Sequence, residues 1–242
     1  GIHYNFSLSD GFFDIWNGQN GHSKDFQNKK YLSLVRNFRR NAWLLLYLFG
    51  ASPVVPNSFI GKRKNFLDTL NREDSFLEYA TSLRMSQLGY MSEAQDDLHI
   101  AYNSLEEYTD NLKLALTKQH PPYQEIGIKD GDDFLQINDS IIQIENEYYS
   151  SIRPKRVVGS GERPINILKE KGIEYVEVRC MDNNPFLNSS IDKETAYFIE
   201  AFLMTSLMDE EKPCLNKEIK EIQNNWQSVV KEGRKPNLDL KI

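Results

Sequence analysis

Cysteine is nearly missing from this chain: Cys180 and Cys214 are the only two in 242 residues. Two is too few for a disulfide framework, and they lack metal-ligand spacing, so both read as reduced structural thiols. Long apolar runs are missing too. The longest, Ala42 to Phe49, has eight residues, where a bilayer-spanning helix needs about 20. There is no surplus of cations: 29 Lys and Arg against 35 Asp and Glu give a formal net charge of −6. With both signs interspersed, no broad basic face is available to neutralise a phosphate backbone, which argues against a nucleic-acid partner. Gly1 to Leu8 alternate apolar and polar without a basic segment, so they do not read as a signal peptide. These absences point to a cytoplasmic protein with no membrane partner. With 40% hydrophobic and 26% charged residues, the chain has enough apolar material for one sizeable core, and one domain over residues 1–242 is expected. Gly1 is not an initiator and the alternation already runs at Ile2, so we read the chain as a piece truncated at both ends.

Helical periodicity runs through Leu34, Val35, Phe38, Ala42, Leu45, Leu46 and Phe49 and stops at Gly50 and Pro53, predicting a helix over residues 29 to 49. From Ala51 to Leu77, Pro53, Pro56, Gly61 and the run Lys62-Arg63-Lys64 read as an irregular, mobile loop. Ser104 with Glu107 makes a capping box for a helix carrying Leu105, Tyr108, Leu112, Ala115 and Leu116, which Pro121 and Pro122 close. Asp192 can cap a helix bearing Ala196, Ile199, Phe202, Leu203 and Leu207. Asn216 can start another that ends at Gly233. Strand signals cover Ile2 to Leu8, Phe134 to Ile137, Ile141 to Tyr149 and Ile173 to Cys180. Helices and strands mix irregularly, so the expected class is α+β with a largely antiparallel sheet.

The chemistry is read from strand parity. In the last strand Ile173, Tyr175, Glu177 and Arg179 share one face, while Glu174, Val176, Val178 and Cys180 share the other. The first face carries a carboxylate and a guanidinium two residues apart; a solvated strand face with a Glu–Arg pair is the alternative that alternation leaves open. His3 stands on the polar face of the first strand, either as a ligand or as a structural hydrogen-bonding residue. In residues 141 to 149, Glu145 and Glu147 share a face with Gln143 and Tyr149. The cations of Ile152-Arg153-Pro154-Lys155-Arg156 follow, leading into Gly159 and Gly161. Arginine forks there suit phosphate or carboxylate oxygens, and a basic turn neutralised by Glu145 and Glu147 is equally compatible. Arg84 suits a carboxylate clamp and Tyr90 a pocket wall, with a surface arginine and a packed tyrosine as the ordinary explanation. No P-loop signature occurs.

Taken in order, Gly1-Ile2-His3-Tyr4-Asn5-Phe6-Ser7, Tyr47 to Pro53, Tyr79 to Tyr90, Gln143 to Arg156, Ile173 to Arg179 and Glu232 to Pro236 resemble the glutamate-cysteine ligases of γ-proteobacterial type, along nearly the whole chain. The resemblance implies a glutamine-synthetase-like fold: a curved, largely antiparallel sheet forms an active-site cleft and helices cover it. It also implies the first step of glutathione biosynthesis, in which ATP activates the glutamate γ-carboxylate as an acyl phosphate that the cysteine amine displaces. By this resemblance Glu177 and His3 are metal ligands for Mg²⁺ or Mn²⁺, and Glu177 and Arg179 are catalytic. Arg84, Tyr90 and Tyr149 bind substrate; Arg153, Arg156, Ile173 and Glu174 bind nucleotide. The family's chain is longer, with further acidic ligands upstream, so the 242 residues alone are expected to be inactive. A related ligase with another amine acceptor, or a non-catalytic amino-acid-binding module, is the alternative.

Overall fold

The computed structural model describes residues 1–19, 21–61, 65–96 and 98–241. In chain order its elements are β1 (Ile2–Phe6), α1 (Asp10–Trp16), α2 (Lys24–Asn41), α3 (Trp43–Phe49), β2 (Val54–Pro56), α4 (Asn57–Ile60), β3 (Asp68–Thr69), β4 (Asp74–Phe76), α5 (Leu105–Thr117) and α6 (Pro121–Ile126). Then come β5 (Lys129–Asp130), β6 (Asp133–Phe134), β7 (Ile152–Lys155), α7 (Pro164–Lys171), β8 (Tyr175–Met181), α8 (Lys193–Met208) and α9 (Asn216–Glu232). The principal sheet is antiparallel with β8 between β1 and β7. An α+β class with antiparallel sheets is therefore observed, as the irregular mixing of elements predicts.

Strand β8 alternates as expected: Val176, Val178 and Cys180 are buried while Tyr175, Glu177 and Arg179 are partly exposed. The buried face meets α2, whose Tyr31, Leu34, Val35 and Phe38 are fully enclosed in the same core, and α2 packs in turn on α8. Each such side chain contributes about 1.5–3 kcal/mol by leaving water. Both cysteines are buried and free, and burial pushes the Cys180 thiol up to about 12 and the Cys214 thiol up to about 11. Neither is a ready nucleophile. Among the described residues no helix is long and apolar enough to cross a membrane.

Several expected boundaries shift. The helix placed at 29 to 49 begins at Lys24, where the Ser23 hydroxyl accepts the Phe26 amide, and it breaks at Ala42 into α2 and α3. The 51–77 stretch holds a small three-stranded sheet, β2-β4-β3, and α4 rather than only an irregular loop. Its strands span two or three residues, too few for a period to show. The Lys62-Arg63-Lys64 run lies outside the described residues. Pro121 and Pro122 open α6 instead of merely closing α5, because proline suits a first helical turn. The strand expected over Ile141–Tyr149 is absent: Glu145–Glu147 form a 3₁₀ turn. The Glu145 carboxylate accepts the Ile165 amide at the start of α7, and that of Glu147 accepts the Gln143 amide. The two carboxylates thus hold backbone rather than forming a paired face. The predicted caps hold, with Ser104 accepting the Glu107 amide at 3.0 Å and Asp192 the Thr195 amide at 2.7 Å.

A pH-sensitive joint fastens α1 to the turn before α2. His22 Nδ1 lies 2.7 Å from Asp14, and Nε2 lies 3.3 Å from Gln27, with Phe13 against the ring. The Asp14 hydrogen bond raises the His22 pKa above its ordinary value. The stabilisation is therefore full below the unfolded-state pKa and fades as pH rises through the raised folded-state value. Urea unfolding of the wild type and His22→Asn should show the largest difference in midpoint near pH 5 and a smaller one at pH 9. A difference independent of pH would exclude a charged His22 from this joint.

Candidate active site

Because β8 is central, its polar face is flanked on both sides. Asn5 of β1 and Arg153 of β7 both stand opposite Glu177, and Lys155 stands opposite Tyr175. A register irregularity between Ile2 and Tyr4 leaves His3 beside Glu177, with Nδ1 3.2 Å from the carboxylate. Arg179 Nε lies 3.8 Å from the other Glu177 oxygen, outside hydrogen-bonding reach. Burial lowers the His3 pKa despite the nearby carboxylate, which favours the neutral ring and its free lone pair.

The opposite wall comes from residues 84–90. The Tyr90 amide donates to the Arg84 carbonyl at 2.6 Å, closing a turn that admits only glycine at 89, where a Cβ would meet that carbonyl oxygen at 2.3 Å. The turn brings Tyr90 between two guanidiniums, Arg179 at 5.2 Å and Arg84 at 5.7 Å from the ring centroid, within or near cation–π range. Tyr149 meets Tyr90 with ring centroids 4.9 Å apart. Gln95 sets the Tyr149 backbone by accepting its amide and donating to the Glu147 carbonyl. Below the two tyrosines lies a small cavity of about 90 Å³, lined also by Met85, Met91, Leu98 and Trp226. Arg84 is anchored from behind: Nε donates to Asp182 at 2.6 Å and Nη2 to the Met181 carbonyl at 2.8 Å.

The electrostatics of this hollow are one-sided. Arg153 and Arg179 lie close enough that, after burial, Arg153 is the largest influence lowering the Arg179 pKa. Lys155 is also lowered by burial. Among the described residues, Nε of Arg153 and Nε of Arg179 are buried without hydrogen-bond partners, and the Tyr90 hydroxyl lies buried beside Arg179. Buried donors are normally satisfied, and two unsatisfied guanidinium nitrogens beside like charge have the chemistry to donate to an anion's oxygens. His3 and Glu177 add two donors spaced like neighbouring ligands of one hard cation, about 3 Å apart. Among the described residues, however, no group of three or more His, Cys, Asp or Glu side chains can hold a metal. The pair fits part of a metal shell.

Pairwise contacts thus link His3, Glu177, Arg179, Tyr90, Arg84 and Tyr149 into one cluster with Arg153 opposite Glu177, while Arg153 also lines a small cavity with Lys155 and Arg156. Arg156, Ile173 and Glu174 lie outside that cluster; they gather at the start of β8. Arg156 donates to the Gly172 carbonyl at 2.5 Å and approaches Glu174 at 3.6 Å. The Ile173 amide donates to Asn28, and the Glu174 amide and carbonyl pair with Lys155 and Tyr31. Lys155, one of the cations of the 152–156 run, shares the Glu177 face. Parity along β7 was the available signal, since it separates Arg153 and Lys155 from Arg156.

The model of the glutamate-cysteine ligase family matches residues 1–229. The chain is 49% identical over 243 aligned residues to the glutamate-cysteine ligase of Pseudomonas putida, covering 99% of this chain and 46% of that protein. A crystal structure of the Francisella tularensis glutamate-cysteine ligase in complex with AMP superposes with a TM-score of 0.89 at 41% identity, over 100% of this chain and 48% of that one. A bifunctional glutathione synthetase from Pasteurella multocida matches with a TM-score of 0.63 at 27% identity, over 96% of this chain and 25% of that one. The chain therefore spans about half the length of the curated relatives it matches.

Proposed function

The chain belongs to the glutamate-cysteine ligase family, and on that premise we propose that the whole protein joins the glutamate γ-carboxylate to the cysteine amine with ATP as the driving reactant, opening glutathione biosynthesis. The observation that carries this reading is the pair of buried guanidiniums, Arg153 and Arg179, each with Nε unpartnered among the described residues, beside Glu177 on the polar face of β8. In the first step a γ-carboxylate oxygen attacks the terminal phosphorus of ATP, the bond to the bridging oxygen breaks, and ADP leaves. In the second, the cysteine nitrogen attacks the acyl carbon and loses a proton as phosphate departs.

Each side chain has work suited to its position. Arg179 and Arg153, with Lys155 beside them, offer fixed positive charge to the transferring phosphoryl group. Arg84 receives the glutamate α-carboxylate on the edge of its guanidinium that faces away from Asp182. Tyr90 and Tyr149 wall the amine acceptor, whose short side chain suits the small cavity beneath them. Arg156, Ile173 and Glu174, already tied to one another, floor the region for the nucleotide base. His3 and Glu177 would hold a divalent cation, Mg²⁺ or Mn²⁺, which when bound offsets phosphoryl charge. Buried thiols and the absence of a membrane-crossing helix among the described residues support a cytoplasmic setting.

The whole protein, given ATP, Mg²⁺, glutamate and cysteine, should release one phosphate per γ-peptide bond formed. Equal turnover with 2-aminobutyrate and unrelated amines would instead favour a ligase of broader acceptor. Amino-acid binding that ATP and Mg²⁺ leave unchanged, without phosphate release, would favour a binding module. The 242-residue chain alone should release no phosphate above background, since its hollow supplies only part of a metal shell. Robust turnover by that chain would overturn this.

A further inference from the structure

Asp182 follows β8 directly, and parity puts it on the strand's apolar side after Val176, Val178 and Cys180. A carboxylate continuing a buried face must find partners, because an uncompensated buried charge is costly. Its side chain is only 3% exposed, and its two oxygens divide their partners. Oδ2 accepts the Ala51 amide at 2.9 Å and the Ser52 hydroxyl at 2.8 Å; Oδ1 accepts Arg84 Nε at 2.6 Å. One oxygen thus holds the chain leaving α3 while the other holds the guanidinium.

Neighbouring contacts make this post rigid. The Ser52 and Leu83 backbones bridge the two segments, with the Leu83 amide donating to the Ser52 carbonyl at 2.8 Å and the Ser52 amide to the Thr81 carbonyl at 3.2 Å. Arg234, which no role above uses, donates to the Gly50 carbonyl at 2.7 Å and the Ala80 carbonyl at 3.2 Å, bracing both segments from the other side. Two of the Arg84 nitrogens are committed, Nε to Asp182 and Nη2 to Met181. A guanidinium has five N–H bonds in a fixed plane, so holding one edge fixes the direction of the other.

We propose that Asp182 is a positioning residue that aims Arg84 at the substrate carboxylate. The inference rests on the reading of Arg84 as that clamp. Asp182→Asn separates the two functions of the side chain. An asparagine keeps its single oxygen toward the two donors at Ala51 and Ser52 and turns its NH₂ toward Arg84, placing donor against donor. The loop anchor survives and the aim of the guanidinium is lost.

The test is steady-state kinetics on the whole protein. Asp182→Asn should raise the glutamate KM about tenfold or more, the scale of one charge-assisted hydrogen bond, with the KM values for ATP and cysteine nearly unchanged; the melting temperature should fall, because the guanidinium loses its counter-charge, so the kinetics are read well below it. Ser52→Ala removes an Asp182 contact and a longer one, at 3.3 Å, from the Arg84 amide, but leaves both guanidinium hydrogen bonds in place, and should leave glutamate KM near wild type. Arg84→Ala should raise it further, and the double variant Arg84→Ala with Asp182→Asn should be no worse than Arg84→Ala alone. If Arg84→Ala leaves glutamate KM unchanged, the clamp reading fails. If Arg84→Ala raises it while Asp182→Asn does not, or if the two losses add, the positioning inference fails and Asp182 is structural only.

Discussion

Replacing Glu177 with Gln in the whole protein should lower turnover by about 10³-fold or more, the loss of several kcal/mol of transition-state stabilisation that a metal-held carboxylate supplies. The change is nearly isosteric. Glu177 lies at a polar face, 13% exposed, with His3 at 3.2 Å and Arg179 at 3.8 Å. Neither contact has hydrogen-bonding geometry that the fold depends on, so thermal unfolding should move little while the Mg²⁺ concentration needed for half-maximal rate rises. Activity retained with an unchanged metal requirement would remove Glu177 from the metal shell and leave it as a counter-charge for the arginines.

Arg179→Ala should cost about 10²- to 10³-fold in kcat, the scale of losing one preorganised donor to developing charge, with glutamate KM nearly unchanged. Arg179 sits where Arg153 repels it and where its own Nε has no hydrogen-bond partner among the described residues. The fold gains little from such an arrangement, so its removal should not destabilise the chain. Arg179→Lys should recover only part of the rate, because an ammonium is a point charge and lacks the planar fork that matches phosphoryl oxygens. ADP formation measured in a single turnover isolates the transfer step. A loss confined to glutamate KM would reassign Arg179 to substrate binding.

What could be read in advance depended on how long each pattern runs. β8 is seven residues whose burial alternates through the first six, and its parity placed Glu177 and Arg179 on one face and Val176, Val178 and Cys180 on the other. The capped helices at Ser104 and Asp192 were legible because one side chain announces each start. Illegible were strands of two or three residues such as β2 and β3, and the 141–149 segment, where alternating residue types occur on a chain that turns. There the carboxylates of Glu145 and Glu147 are taken by backbone amides, a use that residue type does not reveal. β7 was missed because Pro154 interrupts its donors, a feature tolerated on an edge strand. Lys155 went unassigned for the same reason. Asp182 had a signal, a charge in phase with a buried face, that becomes specific only when Arg84, far off in sequence, is seen to answer it.

The order of strands in the principal sheet also bears on how the protein comes into being. Glu177 of the middle strand faces Asn5 on one side and Arg153 on the other, so the hollow joins the first residues of this chain to ones some three-quarters of the way along it. Ribosomal synthesis exposes β1 long before β8 emerges, and contacts so distant in sequence are slow to close. During that interval β1 lacks the β8 partner it has in the folded chain. Nascent chains halted before and after residue 181, probed by limited proteolysis at Ile2–Phe6, should change from cleavable to protected only in the longer form.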